Sequence, residues 1–108
     1  MAVFFLDQKN EEIKDFLGMK IKNLTTFGER SATGMSSETG VLIIDVPAKT
    51  TFSGYLRPND VVLGYNGNSA VRIYELMEQQ VKASQNKMVK IKIFRDQKEQ
   101  IITVKLIP

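Results

Sequence analysis

Hydrophobic and polar positions alternate with period two in two clear stretches of this chain and with a helical period in one. Met19, Ile21 and Asn23 alternate with Lys20, Lys22 and Leu24, which predicts a strand with lysines outward, broken at Leu24. From Met88 to Phe94 the pattern is cleaner: Val89, Ile91 and Ile93 face one way, Lys90 and Lys92 the other. Arg95 to Glu99 then turns the chain, and Gln100 to Ile107 returns as a partner strand. Val41 to Val46 and Val61 to Leu63 are nearly unbroken apolar runs, which predicts buried central strands. Ile73, Leu76, Met77, Gln80 and Val81 recur near helical spacing, so a helix is expected within Val71 to Ser84. Asn68 or Ser69 is its expected cap region.

Turn-forming residues divide these elements. Arg57-Pro58-Asn59-Asp60 predicts a turn, with proline presetting one backbone angle and Asp60 fixing the turn through its own side chain. Asn66-Gly67 predicts another. Pro47 ends the strand before it, and Ala48 to Ser53 is expected to form a short helix closed by Gly54. Val3 to Leu6 suits a first strand, and Glu11 to Phe16 one helical turn with Ile13 and Phe16 on one side. Thr25 to Thr39 is small and polar and reads as a mobile loop, with Phe27 and Met35 as the residues able to tuck in. The expected fold is mainly β with two helices (α+β), a partly open barrel or sandwich of five to six strands capped by helices.

The 108 residues are expected to make one domain, 1–108, with a core over 16–106 and an N-terminal strand and turn over 1–15, and to be a segment of a larger protein. Composition removes whole classes of function. There is no histidine and no cysteine, so the commonest general base, the commonest metal ligand and the thiol nucleophile are all missing. Ser36, Ser37 and Ser53 have nothing to activate them. We expect no catalytic residue, no metal and no cofactor. Fifteen Lys and Arg against twelve Asp and Glu is too even a balance for a dedicated nucleic-acid binder, and Lys90, Lys92, Arg95 and Lys98 read as the solvated side of a hairpin. No apolar run is long enough for membrane insertion. Asp7, Glu11, Glu12 and Asp15 read as a solvated acidic turn.

One ordered set of motifs is specific. Gly54-Tyr55-Leu56-Arg57-Pro58-Asn59-Asp60-Val61-Val62-Leu63-Gly64-Tyr65-Asn66-Gly67 resembles the signature of PDZ domains, with Asn59 where glycine is usual. Asparagine is tolerable there because it enters left-handed conformations. Phe16-Leu17-Gly18-Met19 resembles the family's carboxylate-binding loop; proteases of the HtrA type often carry Tyr-Leu-Gly-Val there. Gly40 to Val46, the segment before Gly54, the amphipathic helix and the final hairpin follow in the family's order, so the resemblance runs from Phe16 to Leu106. It is closest to the bacterial, protease-associated type.

The resemblance implies a non-catalytic module that captures an extended peptide by strand addition beside Met19 to Asn23. Backbone N–H groups of Leu17, Gly18 and Met19 would receive a terminal carboxylate. The expected site residues are Phe16, Leu17, Gly18, Met19, Lys20 and Ile21 on the loop and strand, and Ile73, Met77, Gln80 and Val81 on the helix, with Leu76 pointing to the core. A one-residue shift would bring Tyr74 and Glu78 into the groove instead, and Val81 is equally well placed as plain core. The implied partners are C-terminal peptides with an apolar last residue, or a tethered catalytic domain of a bacterial hydrolase or peptidase. An extracytoplasmic location is also implied. The alternative is a structural docking domain with an unused groove.

Overall fold

In the computed structural model, which describes residues 13–36 and 39–106, the chain forms one mainly antiparallel sheet with two helices. The order is β1 (Lys14–Phe16), β2 (Met19–Asn23), α1 (Phe27–Thr33), β3 (Val41–Asp45), β4 (Val61–Tyr65), β5 (Asn68–Ser69), α2 (Ile73–Lys82), β6 (Met88–Arg95) and β7 (Lys98–Lys105). The strands lie in the order β1-β2-β3-β4-β6-β7, and β5 pairs with β4 beside that path. Register shifts in β2 between Lys20 and Ile21, and in β4 between Val62 and Gly64, bend the sheet around its contents.

The apolar runs of β3 and β4 are continuous because both faces of the sheet are covered. Val41, Ile43 and Val62 join a main core with Met19, Ile21, Tyr65, Leu76, Ile91 and Ile93. Leu42 and Val61, one position out of phase, enter a second cluster with Leu24, packed against Met35, Leu63 and Phe94. Met35 therefore tucks in as expected, whereas Phe27 is 77% exposed.

Tight turns set the strand registers. Asn66 (φ 54°) with Gly67 (φ 88°), and Asp96 (φ 53°) with Gln97 (φ 65°), are two-residue hairpin turns with both positions left-handed. Asn59 takes φ 74°, the left-handed angle that glycine would have supplied. Asp60 fixes its turn as anticipated, accepting from the Arg57 N–H at 2.9 Å. It also holds Arg95 across the sheet, accepting from Nε at 2.8 Å and Nη2 at 2.5 Å. Arg95 is thus a structural ion pair and not a solvated hairpin residue.

Four further sequence expectations are corrected. Thr25 to Thr39 is not all loop: α1 forms because Thr26 caps it and Glu29 reaches back to the N-cap N–H, a reciprocal box. Ala48 to Ser53 is not a helix. Lys49 is left-handed (φ 68°), and the segment closes as successive turns, Ser53 N–H to Thr50 O and Tyr55 N–H to Phe52 O, which place Phe52 in the core. Lys14 to Phe16 is extended and not part of a helical turn, because the hairpin at Leu17-Gly18 ties it to β2. Asn68 and Ser69 belong to β5 and do not cap α2. The expected strand at Val3 to Leu6 lies outside the described residues.

Candidate functional site

β2 and α2 build the candidate site. Met19 and Ile21 are 1% and 0% exposed, and their side chains point from β2 into the main core. Ile73 and Met77 pack against that same cluster from α2, and Leu76 is fully inside it. The helix is seated by its neighbours. Arg72 at its N-cap makes no side-chain cap bond. Instead Asn23 Oδ1, at the end of β2, accepts from the Ile73 N–H at 2.8 Å, and Glu75 Oε1 accepts from the Val71 N–H at 2.9 Å. The Asn23 bond satisfies an N–H that a helix start leaves open and fixes the start of α2 against the end of β2, and the Glu75 bond holds the residue before the cap.

This seating settles the helix register. Ile73, Leu76, Met77 and Gln80 face inward, while Tyr74 is 73% exposed and Glu78 is exposed. Val81 is also 73% exposed and stands away from the cluster. It lies about a quarter turn round the helix from the centre of the inward face, at roughly 100° per residue. Gln80 accepts a hydrogen bond from the Tyr65 hydroxyl. Burial pushes that hydroxyl's pKa up to about 12.

The loop Phe16-Leu17-Gly18-Met19 is a tight hairpin. Leu17 (φ 51°) and Gly18 (φ 92°) are both left-handed, and Leu17 is 39% exposed. Left-handed geometry costs a non-glycine residue about 1–2 kcal/mol. Such stored strain is commoner at binding sites than elsewhere. A Cβ on Gly18 would meet Thr50 Cγ2 at 2.7 Å, so this glycine is needed for space as well as for angle. Phe16 is 4% exposed, stacked on Phe52 (5.6 Å between ring centres) and edge-on to Tyr65 (6.1 Å).

Charged groups flank β2 on both sides. Lys20 is exposed and pairs with Asp15, Nζ to Oδ1 at 3.1 Å, and the Gly18 N–H donates to Asp15 Oδ2 at 3.3 Å. The Lys20 hydrogen bond, then the Gly18 N–H, hold the Asp15 carboxyl below its usual range. Lys22, expected to face outward, is instead buried, because it donates to Glu29 of α1 and to Thr25 Oγ1 at 3.4 Å. Burial pushes the Glu29 carboxyl up. The Lys22 hydrogen bond and the Thr25 and Thr26 N–H groups outweigh this and leave it below its usual range.

The structure thus gathers Phe16, Met19, Ile21, Ile73 and Met77 around one cluster, with Leu17 and Gly18 at its turn and Gln80 on Tyr65. It leaves Lys20 on the outer face and Val81 outside. The edge of β2 is not free along its whole length. Ile21 pairs with Ile43 on one side and with Lys14 on the other, while Lys20 pairs with Asp45 and Asp15. Sequence reasoning missed Asp15, whose carboxylate bonds the turn glycine, and Asn23, which anchors the helix. Among the described residues no group of three or more His, Cys, Asp or Glu could hold a metal ion. No helix among them is long and apolar enough to cross a membrane.

Comparison with known proteins agrees with this geometry. The family model for the PDZ domain matches residues 15–106. The chain belongs to the PDZ domain family. Its fold is similar to the HtrA3 PDZ domain bound to the phage-derived ligand FGRWV, with TM-score 0.65 and 14% identity over 87% of this chain and 86% of that one. It is also similar to the HtrA-type protease AlgW with a decapeptide, with TM-score 0.69 and 22% identity over 89% of this chain. The match spans 30% of the AlgW chain. No curated protein matches the sequence. PDZ domains are generally binding modules without chemistry of their own, and the HtrA-like type is the one these neighbours represent.

Proposed function

We propose that this domain binds the C-terminal end of an extended peptide between β2 and α2 and serves as a targeting or regulatory part of a larger bacterial hydrolase or peptidase. The observation that carries the reading is the pairing of a glycine turn with an apolar cluster. Gly18 stands at one end of β2, its backbone N–H turned to the Asp15 carboxylate, and Met19, Ile21, Ile73 and Met77 lie in the cluster beside it. A carboxylate needs the first and an apolar last side chain needs the second. The HtrA3 neighbour, bound to a ligand ending in valine, supports the same choice. Methionines at 19 and 77 would let the wall adapt to several aliphatic ends. A short peptide buries little area, so affinity on the order of micromolar is expected.

Titrating ¹⁵N-labelled protein with peptides ending in Val, Leu, Ile, Ala or Phe tests this. Free-carboxylate peptides should shift the amides of Leu17 to Ile21, and the amidated counterparts should not. Equal shifts from both forms would remove the carboxylate from the reading; no shift from either would remove the peptide. The second reading is a docking domain whose groove stays closed. It is favoured by the pairing of β1 along the same edge of β2.

A further inference from the structure

We infer that β1 is a built-in occupant of the peptide edge, so that any peptide must displace Lys14 and Asp15 before it can bind. This rests on the peptide-binding reading above and concerns how that site is controlled.

The geometry imitates an added peptide at each point that matters. A peptide lying antiparallel to β2 has its C-terminal end at Gly18. β1 is antiparallel to β2, on the edge opposite β3, and ends at that same glycine. Its register is Lys14 to Ile21, Asp15 to Lys20 and Phe16 to Met19. In a two-residue hairpin the residues flanking the turn exchange hydrogen bonds, and the pattern repeats at every second pair. The edge-facing backbone groups of Met19 and Ile21 are therefore spent on Phe16 and Lys14. The Gly18 N–H, a donor suited to a peptide terminus, already faces the Asp15 carboxylate at 3.3 Å. Edge groups and turn donor are occupied by one segment.

The same geometry makes the occupant removable. The ladder is three residues long, shorter than an ordinary strand. Lys14 and Asp15 are exposed, and the Asp15–Lys20 pair is open to solvent at both ends, the kind of ion pair that adds little. Phe16 is anchored in the core by Phe52 and Tyr65. Lys14 and Asp15 can peel away about Phe16 while that ring stays in the core, which frees the edge groups of Ile21 and the Gly18 N–H without unfolding the sheet. Apparent affinity is then the intrinsic affinity multiplied by the fraction of molecules with β1 detached.

A cross-strand disulfide tests this, because the chain has no cysteine of its own. Asp15 and Lys20 are a non-hydrogen-bonded pair, where antiparallel Cα atoms sit about 4.5 Å apart, within disulfide reach. In the Asp15→Cys/Lys20→Cys variant, affinity for a pooled set of free-carboxylate hexapeptides ending in Val, Leu, Ile, Ala or Phe is measured by fluorescence anisotropy, oxidised and then reduced. Oxidation should weaken binding at least tenfold and reduction should restore it. Lys14→Pro, which removes a ladder donor, should bind several-fold tighter than the wild type and speed hydrogen exchange at the Ile21 amide. Equal affinity in the oxidised and reduced forms overturns the inference and leaves peptide binding standing. Unchanged Ile21 exchange in Lys14→Pro overturns it without reference to any peptide. No binding in the oxidised, reduced or Lys14→Pro forms overturns the peptide-binding reading and this inference with it.

Discussion

Replacing Asp60 with alanine removes the carboxylate that joins the signature turn to the end of β6. The side chain is 4% exposed and its partner Arg95 is 11% exposed. The substitution deletes two bonds from Arg95, at 2.8 and 2.5 Å, and one from the Arg57 N–H at 2.9 Å. Arg95 keeps the Tyr55 carbonyl at 3.1 Å but loses its counter-charge. Removing one partner of a buried pair costs about 3–5 kcal/mol, because the remaining charge stays desolvated. Domains of this size have roughly 5–15 kcal/mol in total. The expected result is a fall in Tm on the order of 15–25 °C and a lower urea midpoint with an unchanged slope. Asp60→Asn keeps an acceptor for Arg57, and Arg95→Met removes the stranded charge. A double-mutant cycle on those two should give a coupling of about 2 kcal/mol or more. An Asp60→Ala loss below about 1 kcal/mol, or a cycle additive within about 0.5 kcal/mol, would refute the buried-pair argument.

The remaining predictions concern Glu29, Tyr65 and the turn before β2. Glu29→Gln should cost about 1–2 kcal/mol at pH 7, discounted for partial exposure. Because the folded Glu29 carboxyl lies below its ordinary value of 4.5, its contribution is present above that pH and lost as pH falls below it. The wild-type advantage in chemical denaturation should therefore shrink in acid, and a constant difference down to pH 3 would contradict the assignment. Tyr65 titrates in the opposite sense: raised from 10.0 to about 12, its neutral form stabilises the fold below pH 10, and this is lost as pH rises through 12. Tyr65→Phe should flatten that alkaline limb; a limb of equal steepness would assign it to other groups. Leu17→Asn relieves left-handed strain and should raise stability by about 0.5–1 kcal/mol in thermal melts, since asparagine enters that region easily. A lower Tm would mean that the Leu17 side chain contributes more by contact than its backbone costs.

The strands with a clear period, and α2, were legible in the sequence because each buries one face or both. Val41 to Ile43 and Val61 to Leu63 show why a run without alternation is still a strand: successive side chains enter different clusters. α1 has a helix signal in Thr26-x-x-Glu29, but Gly28 and the small polar residues around it mask the pattern. Arg95 could not be told from its lysine neighbours, because its partner lies 35 positions upstream and only the β4–β6 pairing brings them together. The cap on α2 failed for the same reason: Asn23 is 50 residues from Ile73. The apolar cluster between β2 and α2 was legible in Met19, Ile21, Ile73 and Met77. β1 was not. Three residues carry no readable period, and a turn with leucine in its left-handed first position carries none of the Asn-Gly or Asp-Gly signals that mark a hairpin.

That turn is where folding and the proposed binding would share atoms. Gly18 needs a positive φ to close the hairpin, and its missing Cβ makes room for Thr50. The N–H that would meet a peptide's terminus is held by Asp15 from the same hairpin. A larger residue at position 18 would break all three arrangements at once, so loss of binding in such a variant would not identify a carboxylate site. Ile73 and Met77 are better probes. They are only partly buried, and α2 is seated by Asn23 and Glu75, whose bonds go to backbone N–H groups and do not require those side chains. Shortening Ile73 or Met77 therefore changes the wall of the groove while leaving the helix start in place. For the proposed site, specificity would be separable from stability on the helix side, and the two would be coupled on the glycine side.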